Sequence, residues 1–417
     1  MNLDYFWKLL KVYRSVGILA RILVVNDEGW FVMNDLKYAT LRDAIFRAIW
    51  EELDPLEEQI EDEEQIPYEV VMPILSRIGA LGLLVSEEHG GSGLTVTQYL
   101  PIISEFAKIQ GGLRVIVHVH NSFAHALSEM GNSEQCETIL PDTVSGKHSI
   151  SFALTEPDFG TGVDLGSVAT RDGDSYVING RKWLITNSNI ASHFMVFAKT
   201  RPKEVSLFIV ERSAPGLSVK ALPETMGCKG GEHGEITLTD VRIPATALVG
   251  REGDGELHLE RALEVSRVFI AASSLGTAER AFDLACEYAK TRVTFGKPIG
   301  TRQAIQRYLC EMAIDIYALR LMLADAAAKW DRGLRIPAEA SMCKQFGLEA
   351  VGRVTDRALL IFGGIGYTRR HPIERLYRDA RLNWLEEGPP TIQYRVVAQE
   401  MLAGYQFADE GREIRHA

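Results

Sequence analysis

The segment DSYVINGRKWLIT (residues 174–186) decides the fold class of this 417-residue chain. It is rich in β-branched and aromatic residues, and it contains an Asn-Gly pair at 179–180 that favours a hairpin turn. Three runs of similar character follow: HFMVFAKT (193–200), VSLFIVE (205–211) and GEITLTDVRIP (234–244). Gly, Asn, Asp and Pro at the ends of these runs are typical of strand boundaries. Residues 149–250 are therefore predicted to form a middle antiparallel β-domain.

Helical patterns flank this domain on both sides. Between residues 38 and 148 the apolar spacing is mostly three and four, which predicts an N-terminal helical domain. After Gly255 long helical patterns return, which predicts a C-terminal helical bundle over 251–417. The individual helices of the bundle are predicted at roughly 256–290, 301–332, 337–361 and 390–405. Residues 1–37 are predicted to be a helical N-terminal extension, and the fold class is α+β.

Charge and cysteine usage limit the classes of function. The net charge of −11 argues against nucleic acid as a partner, because phosphate binding needs a basic surface. The five cysteines show neither C-x-x-C pairing nor metal-ligand spacing, which predicts reduced thiols, no metal site and a cytoplasmic location. No run of 18 apolar residues is present to span a bilayer.

The N-terminal segment DYFWKLLKVYRSVGILARILVV (4–25) intersperses basic residues with aromatic and aliphatic ones, unlike a signal peptide. Two interpretations are open. Residues 1–25 form either a basic amphipathic helix that contacts a membrane or partner, or a helix that packs on its own protein or subunit.

Five segments differ from routine core or loop sequence. FGGIGY (362–367) contains closely spaced glycines, but no βαβ unit surrounds it, so a Rossmann interpretation fails. LNWLEEGPPT (382–391) places Glu386 and Glu387 beside bulky apolar residues, and in isolation it would be read as a solvated loop. The other three are FALTEPDFGTGVD (152–164), NGRKWLITN (179–187) and TRVTFGKPIGTRQAIQ (291–306).

In this order and at these separations, the five segments resemble the acyl-CoA dehydrogenase family. LGLLVSEEHGGSGL (81–94) and MGCKGGEHGEITLTDVRIP (226–244) extend the resemblance over nearly the whole chain from about residue 40. It implies an N-terminal helical domain, a middle β-domain and a C-terminal four-helix bundle. It also implies an FAD cofactor, an acyl-CoA substrate, electron transfer to an electron-transfer flavoprotein, and a homotetramer or homodimer.

The resemblance assigns the site residue by residue. Glu387 falls on the carboxylate that removes the α-proton, while the slot in which some relatives place the base holds Ser266. Several cofactor contacts come from a neighbouring subunit in this family. The implied cofactor contacts are Phe152, Leu154, Thr155, Thr161, Leu184, Ile185, Thr186, Arg292, Phe295, Gln303, Leu360, Gly363, Gly364, Pro389 and Thr391. The implied substrate contacts are Thr161, Glu264, Arg267, Arg114 and Gly388.

Arg114 carries the only clue to the acyl group. In glutaryl-CoA dehydrogenases an arginine at the matching place binds the distal carboxylate, so Arg114 is predicted to be an anion clamp for a dicarboxylic or polar acyl-CoA. Pairing of Arg114 with a local carboxylate is the alternative, because an unpaired buried guanidinium is costly. Three other functions remain open: dehydrogenation of a short-, medium- or branched-chain acyl-CoA, an acyl-CoA oxidase, and a non-catalytic assembly or docking partner.

Overall fold

The computed structural model describes residues 30–160, 162–222, 225–231, 233–407 and 412–413. The predicted contacts of residues 1–25 and of Thr161 lie outside these described residues. The chain divides into two units, Met1–Ala44 and Ile45–Ala417, and the candidate site lies in the second. Helix α1 (Trp30–Ala48) runs across the boundary predicted between residues 37 and 38, because neither Gly nor Pro interrupts it.

One helix of the N-terminal part, α5 (Gly111–Met130), is buried over most of its length. Most residues on all sides of α5 are buried, and they include the charged Arg114 and the polar His118. A buried charge needs a partner, so Arg114 is expected to pair with a polar or acidic side chain next to this helix. The remaining helices here are α2 (Glu57–Glu63), α3 (Tyr68–Arg77), α4 (Val96–Phe106) and α6 (Ser133–Val144).

An eight-stranded sheet follows, with the order β6-β7-β3-β2-β4-β5-β8 and β1 added beside β4. Its strands are β1 (Ile150–Ala153), β2 (Val168–Asp172), β3 (Ser175–Thr186), β4 (His193–Arg201), β5 (Glu204–Glu211), β6 (Leu217–Ala221), β7 (His233–Pro244) and β8 (Leu248–Val249). Most pairings are antiparallel as predicted, but β4 pairs in parallel with both β1 and β2. The chain between each parallel pair is long enough for the crossover that such pairing requires.

The hairpin turn predicted at Asn179-Gly180 is wrong. Strand β3 continues through both residues, and the β2–β3 turn lies instead at residues 173–174, where Gly173 has φ +61°. At Gly180 an added Cβ would lie 2.1 Å from Ser167 Oγ, so glycine is needed for a close approach. Asn179 Oδ1 accepts a hydrogen bond from Asp240 N at 2.8 Å, beside a register shift in the ladder.

The C-terminal part contains the long helices α7 (Gly255–Thr291), α8 (Gln303–Asp331), α9 (Pro337–Phe362) and α11 (Pro390–Leu402). Strands β9 (Val293–Thr294) and β10 (Lys297–Pro298) form a hairpin after α7, and β11 (Leu334–Arg335) pairs with β12 (Arg412–Glu413). Alanines at 278, 281 and 285 allow α7 to pack closely against α9. The predicted α+β class, with an N-terminal helical region, a middle β-sheet and a C-terminal helical region, is confirmed. Helix α10 (Ile373–Leu382) was not predicted, and the acidic turn follows it directly.

Candidate active site

A cavity of about 990 Å³ lies between α5, the ends of β1 and β3, and the helices α7, α10 and α11. Glu387 and Glu386 line it together with His118 of α5 and Arg267 of α7. Much of the remaining wall is apolar, including Phe152, which stacks on Phe123 at a ring distance of 4.4 Å. An apolar cavity with a few convergent polar groups is the usual form of a small-molecule site.

Two donors converge on one oxygen of Glu387. Ser266 Oγ donates a hydrogen bond to Glu387 Oε1 at 2.9 Å, and His118 Nε2 lies 3.3 Å from the same oxygen. Ser122 Oγ lies 3.4 Å from His118 Nδ1, an arrangement that favours the tautomer with the proton on Nε2. The side chain of Glu387 is 9% exposed, so its contacts within the cavity matter more than bulk water.

Glu387 also has a backbone conformation that requires support. Its φ is +54°, in the left-handed region that only glycine adopts without strain, and Gly388 follows at +91°. The buried Lys344 donates hydrogen bonds to the carbonyls of Glu386 and Gly388. Gln393 Nε2 donates to the carbonyls of Glu387 and Gly388 at 3.2 and 2.9 Å. Burial lowers the pKa of Lys344 to about 8, against the opposing attraction of Glu387.

Arg114, predicted as an anion clamp, is paired within the protein. Its Nη1 donates to Glu386 Oε2 and its Nη2 to Asn383 Oδ1, both at 2.9 Å. It is 3% exposed, and within the described part of the chain it is not among the residues that line the cavity. A distal carboxylate would have to displace Glu386 from a buried pair. The alternative prediction, pairing with a local carboxylate, is the arrangement present.

Glu386 is therefore the counter-ion of the buried Arg114. Its burial favours the neutral acid, but the attraction of Arg114 and the hydrogen bond from it outweigh burial and lower the pKa of Glu386. Arg114 remains a cation because the same pairing outweighs its own desolvation and raises its pKa. Asn383 extends the network by donating to Ser274 Oγ at 2.9 Å.

The residues predicted to contact the flavin ring come together at the cavity wall. Leu184 has φ +55° at a register shift between β3 and β7, and this bulge leaves its side chain 49% exposed. The neighbouring Trp183 is not among the described cavity-lining residues, so Leu184 rather than tryptophan forms the apolar surface there. Thr186 Oγ1 lies 3.0 Å from His233 Nδ1. The predicted cofactor residues on this wall are Phe152, Leu154, Thr155, Leu184, Ile185, Thr186 and Pro389.

This wall fits a flat, mostly apolar ring that carries hydrogen-bonding edges. Leucine and isoleucine side chains supply the surface, and the hydroxyl groups of Thr155 and Thr186 supply polar contacts. An apolar side chain as exposed as Leu184 is a surface that a bound ring would cover.

A buried ion pair fixes the segment that carries Leu154 and Thr155. Lys182 Nζ donates to Glu156 Oε1 at 2.7 Å and to the Leu154 carbonyl at 3.1 Å. Glu156 also accepts hydrogen bonds from the backbone N–H groups of Gly166 and Ser167, and the attraction of Lys182 lowers the pKa of Glu156 despite burial. Desolvation lowers the pKa of Lys182 to about 8. The pair therefore ties both ends of the Gly-rich turn to β3.

A second predicted group lies away from the cavity wall. Phe295 is 96% exposed in the β9–β10 turn, and Leu360 is 56% exposed on α9. An added Cβ at Gly363 or Gly364 would meet nothing within 4 Å. The predicted cofactor residues that do not line the cavity are Arg292, Phe295, Gln303, Leu360, Gly363, Gly364 and Thr391. Their open surroundings fit contacts with a ligand or with another copy of the chain.

Among the described residues, some of the predicted substrate contacts line the cavity, and others do not. Arg267, Glu264 and Gly388 line the cavity. Glu264 is committed to structure, because it accepts from Arg335 Nε at 2.7 Å and from the Ile336 N–H at 2.5 Å, next to the start of α9. Burial lowers the pKa of Arg267, whose Nε donates to the Glu387 carbonyl at 3.5 Å.

The polar groups that surround Glu386 and Glu387 were not predicted from the sequence. Lys344 and Gln393 support the Glu387 turn, and His233 contacts Thr186. The sequence showed only that Ser266 occupies the position at which some relatives place the base. In the structure its hydroxyl contacts Glu387. The sequence signal for Lys344 was a single lysine within an apolar helical stretch, which by itself does not reveal its partner.

Comparison with known proteins shows similarity over most of the chain. Models of the N-terminal, middle and C-terminal domains of acyl-CoA dehydrogenases match residues 37–147, 151–241 and 253–402. The chain is similar to an acyl-CoA dehydrogenase of Bacillus subtilis, with 37% identity over 85% of this chain and 94% of that protein. It is also similar to a subunit of the caffeyl-CoA reductase–Etf complex of Acetobacterium woodii, with 33% identity over 83% of this chain and 92% of that protein. The butyryl-CoA dehydrogenase structure of Megasphaera elsdenii superimposes with a TM-score of 0.84 at 30% identity, covering 91% of this chain and 99% of that one. Among the described residues, no helix is both long and apolar enough to cross a bilayer.

Proposed function

Because this chain belongs to the acyl-CoA dehydrogenase family, whose members are FAD-dependent oxidoreductases that act on acyl-CoA, we propose that it removes hydrogen across the α,β-bond of an acyl-CoA thioester. Glu387 is the proposed base. The observation that carries this role is a carboxylate at the cavity wall with two donors on one of its oxygens. Bound FAD supplies the hydride acceptor for the β-hydrogen.

The contacts of Glu387 assign different tasks to its two oxygens. Oε1 is occupied by Ser266 and His118, which orient the carboxylate. Oε2 has no hydrogen-bond partner among the described residues, so it is the oxygen available to accept the α-proton. Lys344 and Gln393 hold the backbone of the turn, and this fixes the direction from which Oε2 approaches the substrate.

The remaining residues of the cavity wall are proposed to bind the flavin and to exclude water from the acyl group. Thr155, Leu184, Ile185 and Thr186 are proposed to line the face on which the flavin rests. Phe152 and Leu263 narrow the apolar cavity and exclude water from the reacting carbons. Desolvation favours proton transfer because a base surrounded by apolar groups is not stabilised by bulk water.

The acyl group is proposed to lack a distal carboxylate, because the Arg114–Glu386 pair presents no unbalanced positive charge. This replaces the predicted dicarboxylic substrate. Electron-transfer flavoprotein is the proposed acceptor, and the relative found in an Etf complex supports it. We also propose that the chain assembles as a homotetramer or homodimer and that it is cytoplasmic. Ile314, Tyr317 and Leu321, exposed together on α8, support self-association.

Anaerobic titration of the yellow holoprotein with butyryl-CoA tests the proposal. The flavin absorbance is expected to bleach with the wild type, and the bleaching is expected to be lost in Glu387→Gln although flavin remains bound. A purified protein without flavin, or equal bleaching in the variant, would contradict the proposal. Rapid recolouring in air would instead favour the acyl-CoA oxidase alternative, and a flavin-containing protein that no acyl-CoA bleaches would favour a non-catalytic partner.

A further inference from the structure

Helix α5 presents two polar side chains, one turn apart, to two consecutive acids. Arg114 contacts Glu386, and His118 contacts Glu387, which is the proposed base. Residues four apart on a helix lie on the same face, roughly 6 Å apart along its axis. The second carboxylate and the base are therefore held by the same face of α5, and both line the same cavity.

Among the described residues, only one oxygen of Glu386 accepts a hydrogen bond. Oε2 accepts from Arg114 at 2.9 Å, while Oε1 has no hydrogen-bond partner in the described ranges. The side chain is 12% exposed and lines the cavity. The histidines nearest to it, His118 and His233, are each engaged with another side chain, at Glu387 and Thr186. Oε1 is thus an acceptor that remains available on a residue of the cavity wall.

We propose that Glu386 is a specificity-determining residue, which selects acyl-CoA substrates that carry a hydroxyl group near the end of a short acyl chain. This inference rests on the proposed dehydrogenation and names its substrate class. A substrate hydroxyl donates a hydrogen bond to Oε1. Hydrogen bonds to a charged acceptor are stronger than hydrogen bonds between two neutral groups. A terminal carboxylate is repelled by Glu386, and a terminal methyl leaves the buried oxygen unsatisfied.

Arg114 is a positioning residue in this arrangement. It keeps Glu386 ionised and fixes its rotamer, and Asn383 fixes Arg114 in turn. The low pKa of Glu386 agrees with a permanent acceptor. Removal of the Glu386 charge alone would leave Arg114 unbalanced and should convert the acceptor site into an anion site.

Three acyl-CoAs of matched length test the inference: valeryl-CoA, 5-hydroxyvaleryl-CoA and glutaryl-CoA. For the wild type, kcat/KM measured with an artificial electron acceptor is expected to be about tenfold or more higher for the hydroxylated substrate than for either of the others. Glu386→Gln is expected to lower that preference and to raise the relative use of glutaryl-CoA about tenfold or more. Glu260→Gln removes a charge from the same cavity and is expected to leave the substrate ratios unchanged.

A double variant guards against a folding failure of the single one. Arg114→Met with Glu386→Met replaces the buried pair by apolar side chains, a change that is often tolerated. It is expected to prefer valeryl-CoA. Equal rates for valeryl- and 5-hydroxyvaleryl-CoA in the wild type, or unchanged ratios in both variants, would overturn the inference while leaving dehydrogenation intact. Failure of all three substrates to bleach the flavin would overturn both.

Discussion

Replacement of Lys344 by Met is expected to slow catalysis far more than it destabilises the protein. Lys344 is fully buried on α9, and its ammonium donates to the carbonyls on both sides of Glu387. Methionine fills a similar volume but donates no hydrogen bond. The left-handed backbone at Glu387 then loses the two contacts that span it.

Two opposing contributions determine the change in stability. Loss of two hydrogen bonds from a charged donor costs about 1.5–3 kcal/mol each, or about 3–6 kcal/mol together. Burial lowers the pKa of Lys344 from 10.5 to about 8. At about 1.36 kcal/mol per pKa unit, removal of this buried charge raises the free energy of unfolding by about 3 kcal/mol. The net loss of unfolding free energy is therefore only about 0–3 kcal/mol.

The catalytic loss should be larger, because a displacement of the reacting carboxylate by about 1 Å can lower the rate about a hundredfold. Substrate-dependent flavin bleaching in a stopped-flow instrument measures this rate, and thermal unfolding measures stability. Lys329→Met is the matched control. Lys329 is also buried and pairs with Glu339 at 2.9 Å, but it does not contact the Glu387 turn. The control should lose stability with kcat nearly unchanged. A Lys344→Met enzyme with wild-type kcat would refute the assigned role.

Ser266→Ala removes a hydrogen bond to the base and is expected to lower kcat about tenfold with little change in KM, whereas Ser273→Ala, on the same helix, should leave kcat unchanged. Glu156→Gln leaves the Lys182 charge buried without its counter-ion, so the free energy of unfolding should fall by about 3–5 kcal/mol in denaturant titrations, while the exposed-pair control Glu235→Gln should change little. The folded-state pKa of Lys182 is about 8 and the unfolded value is 10.5, so the unfolded state binds more protons between these pH values. Stability should therefore rise with pH from about 8 to 10.5, and a Lys182→Met protein that shows the same rise would contradict this.

The order of the helical and β-sheet regions was predictable because it depends on local patterns. Short runs rich in β-branched and aromatic residues predicted strands, and apolar spacings of three and four predicted helices. The family resemblance implied a role as base for Glu387, and Ser266 occupies the slot in which some relatives place that base. The turn predicted at Asn179-Gly180 was wrong although the dipeptide is a strong hairpin signal, because β3 continues through both residues. The glycine is needed there because Ser167 approaches it too closely for any side chain.

The sequence by itself determined that Glu386 and Glu387 are adjacent acids beside a glycine-containing break, and that a buried helix carries Arg114. Only the tertiary structure decided which acid pairs with which residue. Arg114 and Glu386 are 272 positions apart, and Ser266 and Glu387 are 121 apart. Periodicity records which face of an element is buried, but a buried polar group is satisfied by whichever partner packing brings within hydrogen-bond distance. For this reason two like acids in one turn have become different groups, a counter-ion and a proposed base.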